Sequence, residues 1–230
     1  IVMVYLAYIS FLFLGMQLLN VVLNFVFKQR IKNSRDENTE LISVLIPARN
    51  EETNISSLLS DLQKFKNENV EIIVFDDEST DNTVKVVQDF AKQDKRIVLI
   101  ESEGLPEGWL GKNHACYQLA QKARGKYLLF LDADVRIEDN IITDAVYYLK
   151  RFNLKLLSVF PTQIQETFGE KISVPVMNYI LLTLLPLVFV RISPFKSHAA
   201  ANGQFMLFDA ETYKKTQPHL LFKNSAVEDI

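Results

Sequence analysis

Apolar and polar positions fall into blocks along this chain, and each block has its own period. Ile1 to Phe27 carries no charged residue and exceeds the roughly 20 apolar residues that span a bilayer. Lys28, Arg30, Lys32 and Arg35 follow. A basic flank of this kind puts the downstream chain on the cytoplasmic side and the amino terminus outside. A secretory signal has a shorter apolar region behind a basic start, so residues 1–27 are read as a transmembrane anchor. Residues 28–40 are then a basic, polar linker, and 41–230 the remaining domain.

From Leu41 the period changes. Leu41 to Ile46 is a β-rich apolar run that Pro47 is expected to stop. Asn54 is placed to cap a helix whose apolar stripe is Ile55, Leu58, Leu59 and Leu62. Glu71 to Phe75 reads as a second strand, with Asp76 and Asp77 at its end. A second helix starting at Thr80 or Asp81 carries Val84, Val87 and Phe90. Arg96 to Ile100 is a third strand, Glu101 to Gly111 a loop, and Lys112 to Ala123 a third helix ended by Gly125. Tyr127 to Leu131 is an unbroken apolar run, as suits a strand buried on both faces. Strands alternating with helices predict a parallel, doubly wound α/β sheet.

After Asp139, Ile141 to Arg151 reads as a helix and Leu154 to Phe160 as a strand. Ser173 to Ile192 is again strongly apolar, interrupted by Pro175 and Pro186. A single crossing there would put Ala201–Phe208 and Glu228-Asp229 on the other side from the rest of the site. Residues 173–192 are therefore read as an interfacial or re-entrant segment.

Composition adds exclusions. A net charge of -3 gives no basic field for nucleic acid. A single cysteine, Cys116, rules out an intrachain disulfide.

The candidate chemistry lies in carboxylates just after the second and fourth strands, the edge where open α/β sheets bind ligands. In extended chain Asp132 and Asp134 point to one side, roughly 6–7 Å apart, so one hard cation can reach both and through them hold phosphate. Asp76 or Asp77 can accept hydrogen bonds from a base or ribose. Lys112 adds positive charge at a helix amino terminus. No dinucleotide-binding or Walker glycine loop is present. Trp109 can stack on a sugar face or sit in the core, and His114 and His198 are read as structural. A receiver-like signalling module also has an acidic pair at strand ends, but it is shorter and needs no second carboxylate at i+2. A sugar nucleotidyltransferase would have a Gly-rich, Arg-containing loop where this chain has PARNEE.

IPARNEE (Ile46 to Glu52), DDESTDNT (Asp76 to Thr83), DAD (Asp132 to Asp134) and the Glu228-Asp229 pair come in the order seen in family 2 glycosyltransferases. The run GWLGKNHACYQLA (Gly108 to Ala120) resembles the membrane-bound members that glycosylate lipids, the carotenoid glucosyltransferases and hopanoid-associated transferases. The resemblance covers Leu41 to Ile230. It implies a GT-A fold, a Mg²⁺ or Mn²⁺ ion, and a nucleotide-diphosphate sugar donor, a UDP-sugar before others. It also implies a lipid acceptor at the cytoplasmic face of the cell membrane. On that resemblance Pro47, Ala48, Asn50 and Glu51, with Asp76 and Asp77, hold the nucleoside, and Lys112 approaches the phosphates. Asp132 and Asp134 hold the metal-diphosphate, Asp132 nearer the ribose or sugar. Asp229, next to Glu228, is the general base of an inverting transfer. Such members also carry a Q/R-x-x-R-W segment and further transmembrane helices after the acidic pair. This sequence ends one residue after Asp229, which implies either an excerpt or a site incomplete on its pyrophosphate side.

Overall fold

The structure, a computed structural model, describes residues 2–28, 30–31, 39–65, 67–138, 140–165, 167–193, 195 and 201–225. Lys32, Arg35, His198, Glu228 and Asp229 lie outside the described residues. The chain divides into two compact units, one of residues 1–30 with 162–200 and the other of 31–161 with 201–230.

The second unit is built on a six-stranded sheet. Its strands are β1 (Ile42–Ala48), β2 (Val70–Asp76), β3 (Ile97–Glu101), β4 (Tyr127–Leu131), β5 (Leu156–Ser158) and β6 (Phe205–Asp209), in the order β3-β2-β1-β4-β6-β5. Strands β1 to β4 pair in parallel. β6 lies antiparallel to both β4 and β5, so the sheet is mixed rather than wholly parallel as its apolar runs implied. The helices are α2 (Glu52–Lys64), α3 (Thr83–Gln93), α4 (Gly111–Lys122), α5 (Ile141–Arg151), α8 (Ala210–Thr216) and α9 (Pro218–Leu221). Period-2 alternation sends Val44, Ile46, Ile72, Val74, Leu129 and Leu131 into one core. Leu45, Ile73, Phe75, Leu128 and Phe130 go into a second core with Leu119 and Tyr213. Both faces are buried, as a central parallel sheet requires.

Local details differ from the sequence expectations for identifiable reasons. Pro47 does not stop β1. Pairing with β4 ends at Leu45, so the missing N–H breaks no ladder on that side, and the strand continues to Ala48 beside β2. Asn54 is not the cap of α2; it sits in the first turn and donates to Glu51 Oε2 (2.7 Å). Asp81 precedes α3 and accepts from Thr83 N (2.9 Å). Gly125 does not terminate α4, which is capped by Ala123. It is needed because a Cβ there would lie 2.6 Å from Ser43 N and 2.9 Å from Leu41 O.

A charged hub ties these strands together. Glu71, buried in β2, accepts from Ser43 Oγ (2.6 Å), Arg124 N (2.7 Å) and Arg124 Nε (2.9 Å). Burial alone would raise its pKa, but these donors together hold it below the ordinary carboxylate value. A carboxylate with a lowered folded pKa stabilises the fold above its unfolded pKa, and that contribution disappears as pH falls through the folded value. Glu71→Gln is therefore expected to cost about 1–3 kcal/mol at pH 7. In urea titrations the gap to the parent should close below about pH 4, and a gap that stays constant with pH would remove the charge from the explanation.

In the first unit, α1 (Val2–Val26) is accompanied by α6 (Phe168–Leu184) and α7 (Leu187–Ile192). α1 is the one helix among the described residues long and apolar enough to cross a membrane. α6 starts earlier than the apolar run, at a capping box of Thr167 and Glu170, and contains Pro175 without breaking; the break comes at Leu185-Pro186.

Candidate active site

The parallel pairing brings three strand ends to one edge. Ala48 of β1 stands opposite Asp76 of β2, which stands opposite Glu101 of β3. β4 ends at Leu131. Arg49, Asp77 and Asp132 therefore leave the sheet on the same side. Asp76 and Asp77 are both buried. Asp76 accepts from Ser79 N (3.1 Å) through Oδ2, and Asp77 Oδ2 meets Arg49 Nη1 at 3.3 Å. The second oxygen of each, Asp76 Oδ1 and Asp77 Oδ1, is buried without a hydrogen-bond partner. Buried acceptors without a partner cost about 1–3 kcal/mol each and are few in folded proteins. Two on adjacent residues mark a place built to receive donors.

The two loops at this edge are stitched into one frame. Asn50 and Glu78 adopt left-handed backbone, with φ of 56° and 58°. Asn50 N donates to Ser79 Oγ (2.9 Å), and Asn50 Oδ1 accepts from Thr80 N (2.8 Å). Glu51 N donates to Thr83 Oγ1 (2.8 Å), Glu52 N to Asp81 Oδ2 (3.2 Å), and Asn82 N to Glu52 Oε2 (2.9 Å). Pro47 and Ala48 belong to β1, and the Ala48 carbonyl accepts from Asp77 N (2.9 Å). The described bonds of Asn50 and Glu51 thus tie the loop after β1 to the loop after β2 and the start of α3.

α4 begins directly against Asp77. A Cβ on Gly111 would stand 2.5 Å from Asp77 Oδ2, so glycine lets the helix start close to the carboxylate. One residue on, Lys112 Nζ lies 3.0 Å from Asp132 Oδ1 and 3.3 Å from Oδ2. Asn113 Nδ2 donates to the carbonyls of Phe222 (2.7 Å) and Ser225 (3.0 Å), and Leu110 N donates to Lys223 O (2.8 Å). These bonds dock the last described turn on the start of α4, four residues before Asp229. His114 is buried, with Nδ1 unpartnered. Burial lowers its pKa, against the opposing charge of Asp77. Trp109 packs on the rings of His114 and Tyr117 in α4 (5.5 and 5.2 Å between centroids).

The D-A-D stretch is a turn rather than an extension of β4. Asp132 N donates to Gln204 O (3.2 Å), and Val135 N returns to Asp132 O (3.2 Å). Inward and outward positions still alternate: Ala133 is buried, Asp132 half-buried and Asp134 exposed. The turn is held from α2, where Asp61 accepts from Arg136 Nε (2.7 Å) and Nη2 (3.0 Å). That ion pair is the main reason the Asp61 carboxyl titrates below its ordinary value. Arg49, Gly111, Asn113 and the Asp61–Arg136 pair escape sequence reasoning. Arg49, Gly111 and Asn113 had a visible signal, lying inside the IPARNEE and GWLGKNHACYQLA runs.

Residues 43–211 match the family described as glycosyl transferase family 2. Among curated proteins, the chain is 29% identical over 197 residues to the 4,4'-diaponeurosporenoate glycosyltransferase of Staphylococcus haemolyticus (strain JCSC1435), covering 85% of this chain and 50% of that protein. It is 32% identical over 185 residues to that of Staphylococcus aureus (strain USA300), covering 79% and 47%. The chain thus spans about half the length of the curated relatives it matches. A mannosyltransferase from Pyrobaculum calidifontis, solved with GDP-Man and Mn²⁺, shares the fold with a TM-score of 0.64 at 19% identity, covering 91% of this chain and 56% of that one. Glucosyl-3-phosphoglycerate synthase from Mycobacterium tuberculosis, solved with Mn²⁺, UDP and glucosyl-3-phosphoglycerate, does so with a TM-score of 0.52 at 20% identity, covering 75% and 58%. At those identities the likeness is one of fold.

Proposed function

Because this chain belongs to glycosyl transferase family 2, a family of sugar-transferring enzymes, we propose that it serves inverting sugar transfer from a nucleotide-diphosphate donor. The acceptor is a lipid presented at the cytoplasmic face of the membrane. One observation carries the donor side: two buried carboxylate oxygens without partners, on Asp76 and Asp77, beside Lys112 and the Asp132–Asp134 turn. Base and ribose offer N–H and O–H donors to such acceptors. Lys112 and the amino terminus of α4 suit the diphosphate.

Among the described residues no three His, Cys, Asp or Glu side chains come together as a metal cage. The chain offers Asp132 and Asp134, and two carboxylates completed by phosphate oxygens and water suit Mg²⁺ and fit Mn²⁺ as well. A divalent cation there supplies positive charge opposite the leaving diphosphate. Lys112, already paired with Asp132, contributes a second positive charge on the same side. Asp229 takes the acceptor's proton if that acceptor is a hydroxyl.

The lipid acceptor is supported by the candidate membrane helix α1 and by relatives named for 4,4'-diaponeurosporenoate. The -oate of that name is an acid. A carboxylic acid is already ionised at neutral pH and needs no base, whereas a hydroxyl does. The test supplies the full-length protein with labelled nucleotide sugar and a membrane-lipid extract. Label should enter the organic phase, and label confined to water-soluble products would remove the lipid acceptor. Asp229→Asn then reads the acceptor group. A loss of about 10²–10⁴-fold marks a hydroxyl, and a small loss marks a carboxylate.

A further inference from the structure

Pro186 interrupts the second apolar segment and leaves a definite set of backbone groups without helical partners. Proline has no N–H, so the carbonyl of Leu182, four residues earlier, loses its partner. The next pair in the ladder, Leu187 N and Thr183 O, is separated as the chain turns. α1 answers each of these groups. Asn24 Nδ2 donates to Leu182 O (2.9 Å) and to Leu185 O (2.8 Å), and Asn24 Oδ1 accepts from Leu187 N (2.8 Å). Asn20 Nδ2 donates to Thr183 O (3.0 Å). The two asparagines are four apart and so share one helix face. Asn24 and Thr183 are buried in this contact.

Away from the contact the described residues of the segment form no core of their own. Ile172, Val176, Tyr179, Ile180, Leu182 and Leu184 are exposed, as is nearly all of α1. The ends of the excursion limit how it can meet a bilayer. Val159 N donates to Phe205 O (3.1 Å), and Asn202 N donates to Ser158 Oγ (2.6 Å), so the chain leaves and rejoins the sheet at adjacent strands. Such an excursion crosses a membrane an even number of times or not at all. α7 has six residues, about 9 Å at 1.5 Å per residue, too short for a return crossing.

We infer that α6 and α7 form a shallow, non-crossing segment in the cytoplasmic half of the lipid bilayer, and that Asn20 and Asn24 staple its break to the anchor at the headgroup–acyl boundary. This rests on the reading of α1 as a membrane anchor. Asn24 and Asn20 stand two and six residues before Val26, about 3 and 9 Å from the helix end that leads to Lys28 and Arg30. Interfacial segments sit about 5–10 Å deep. Exposed Glu170 and Lys171 at the start of α6, and Asn178 midway, suit a helix lying along that boundary. Backbone groups away from water must be satisfied internally, and the staple supplies what Pro186 removes.

The test uses the full-length protein with its native cysteines, Cys116 among them, replaced by alanine, in phosphatidylcholine–phosphatidylglycerol vesicles. Single cysteines at Leu184, Val22 or Leu14 carry an environment-sensitive fluorophore. Quenchers are lipids spin-labelled near the headgroup or at mid-chain, and iodide in the water. Leu184→Cys and Val22→Cys should be quenched mainly by the shallow label, and Leu14→Cys by the deep one. Asn24→Leu should raise iodide quenching at position 184 severalfold and leave position 22 unchanged, and Asn24→Gln, which keeps the amide, should restore part of the protection. Deep quenching at 184 would overturn the shallow placement. Iodide quenching there as in free solution, with Asn24 present, would overturn the bilayer as partner, and indifference to Asn24→Leu would overturn the staple. Leu14→Cys untouched by either lipid label would overturn the anchor reading itself.

Discussion

Asp134→Ala should abolish Mn²⁺-dependent binding of a nucleoside diphosphate while the domain stays folded. Asp134 is exposed at a turn, and surface substitutions of this kind change stability by about 0.5 kcal/mol or less. Asp132 is a less clean probe, because its removal also strips Lys112 of an ion pair. With Asp134 gone, one carboxylate remains to hold a cation that also faces the diphosphate. A loss of about 100-fold or more in metal-dependent affinity is expected, roughly 2.7 kcal/mol. Titration calorimetry on the full-length protein in detergent checks it. Unchanged affinity would move the metal-diphosphate away from this turn.

The largest effect on stability is expected from Gly125→Ala. The added Cβ would stand 2.6 Å from both Ser43 N and Ser43 Oγ and 2.9 Å from Leu41 O. Two of those atoms belong to the backbone and cannot swing away. Gly125 N also donates to Ser43 Oγ (2.8 Å), which itself donates to Glu71, so any shift loosens the hub under β1 and β2. Overpacking of this type costs about 1–3 kcal/mol, and a weakened hydrogen bond adds about 1 kcal/mol. A domain of this size should lose roughly 2–4 °C of Tm for each kcal/mol. A variant that melts with the parent in a thermal scan would show that the entry to β4 can yield.

Strands β1 to β4 were legible because each is a short apolar run with a marked stop, and both faces of the sheet are covered. β6 was not read as a strand, and neither was its direction. FMLFD has the same local pattern as YLLFL, and its antiparallel course follows from where the 162–200 excursion returns. The acidic pairs were readable as strand ends. The turn at Asp132–Asp134 was not, since it depends on a carbonyl from Gln204, some seventy residues away in sequence. Cap positions slipped by a few residues for a related reason. Glu51, Glu52 and Asp81 spend their polar groups between loops, and helix-start rules assume that such groups act locally. Nothing local marks Asn20 and Asn24 within their uncharged run, because their partners come from a segment more than 150 residues away.

The stitching of residues 49–52 to 77–83 also bears on how this edge can change. Loops are ordinarily the parts of a fold that vary independently and accept insertions. Here Asn50, Glu51 and Glu52 on one loop and Ser79, Thr80, Asp81, Asn82 and Thr83 on the other or just beyond it are reciprocal partners. A substitution in either strands a donor or acceptor in its neighbour. A graft that replaces this edge must therefore carry both loops as a single cassette, with the left-handed residues Asn50 and Glu78 kept in place.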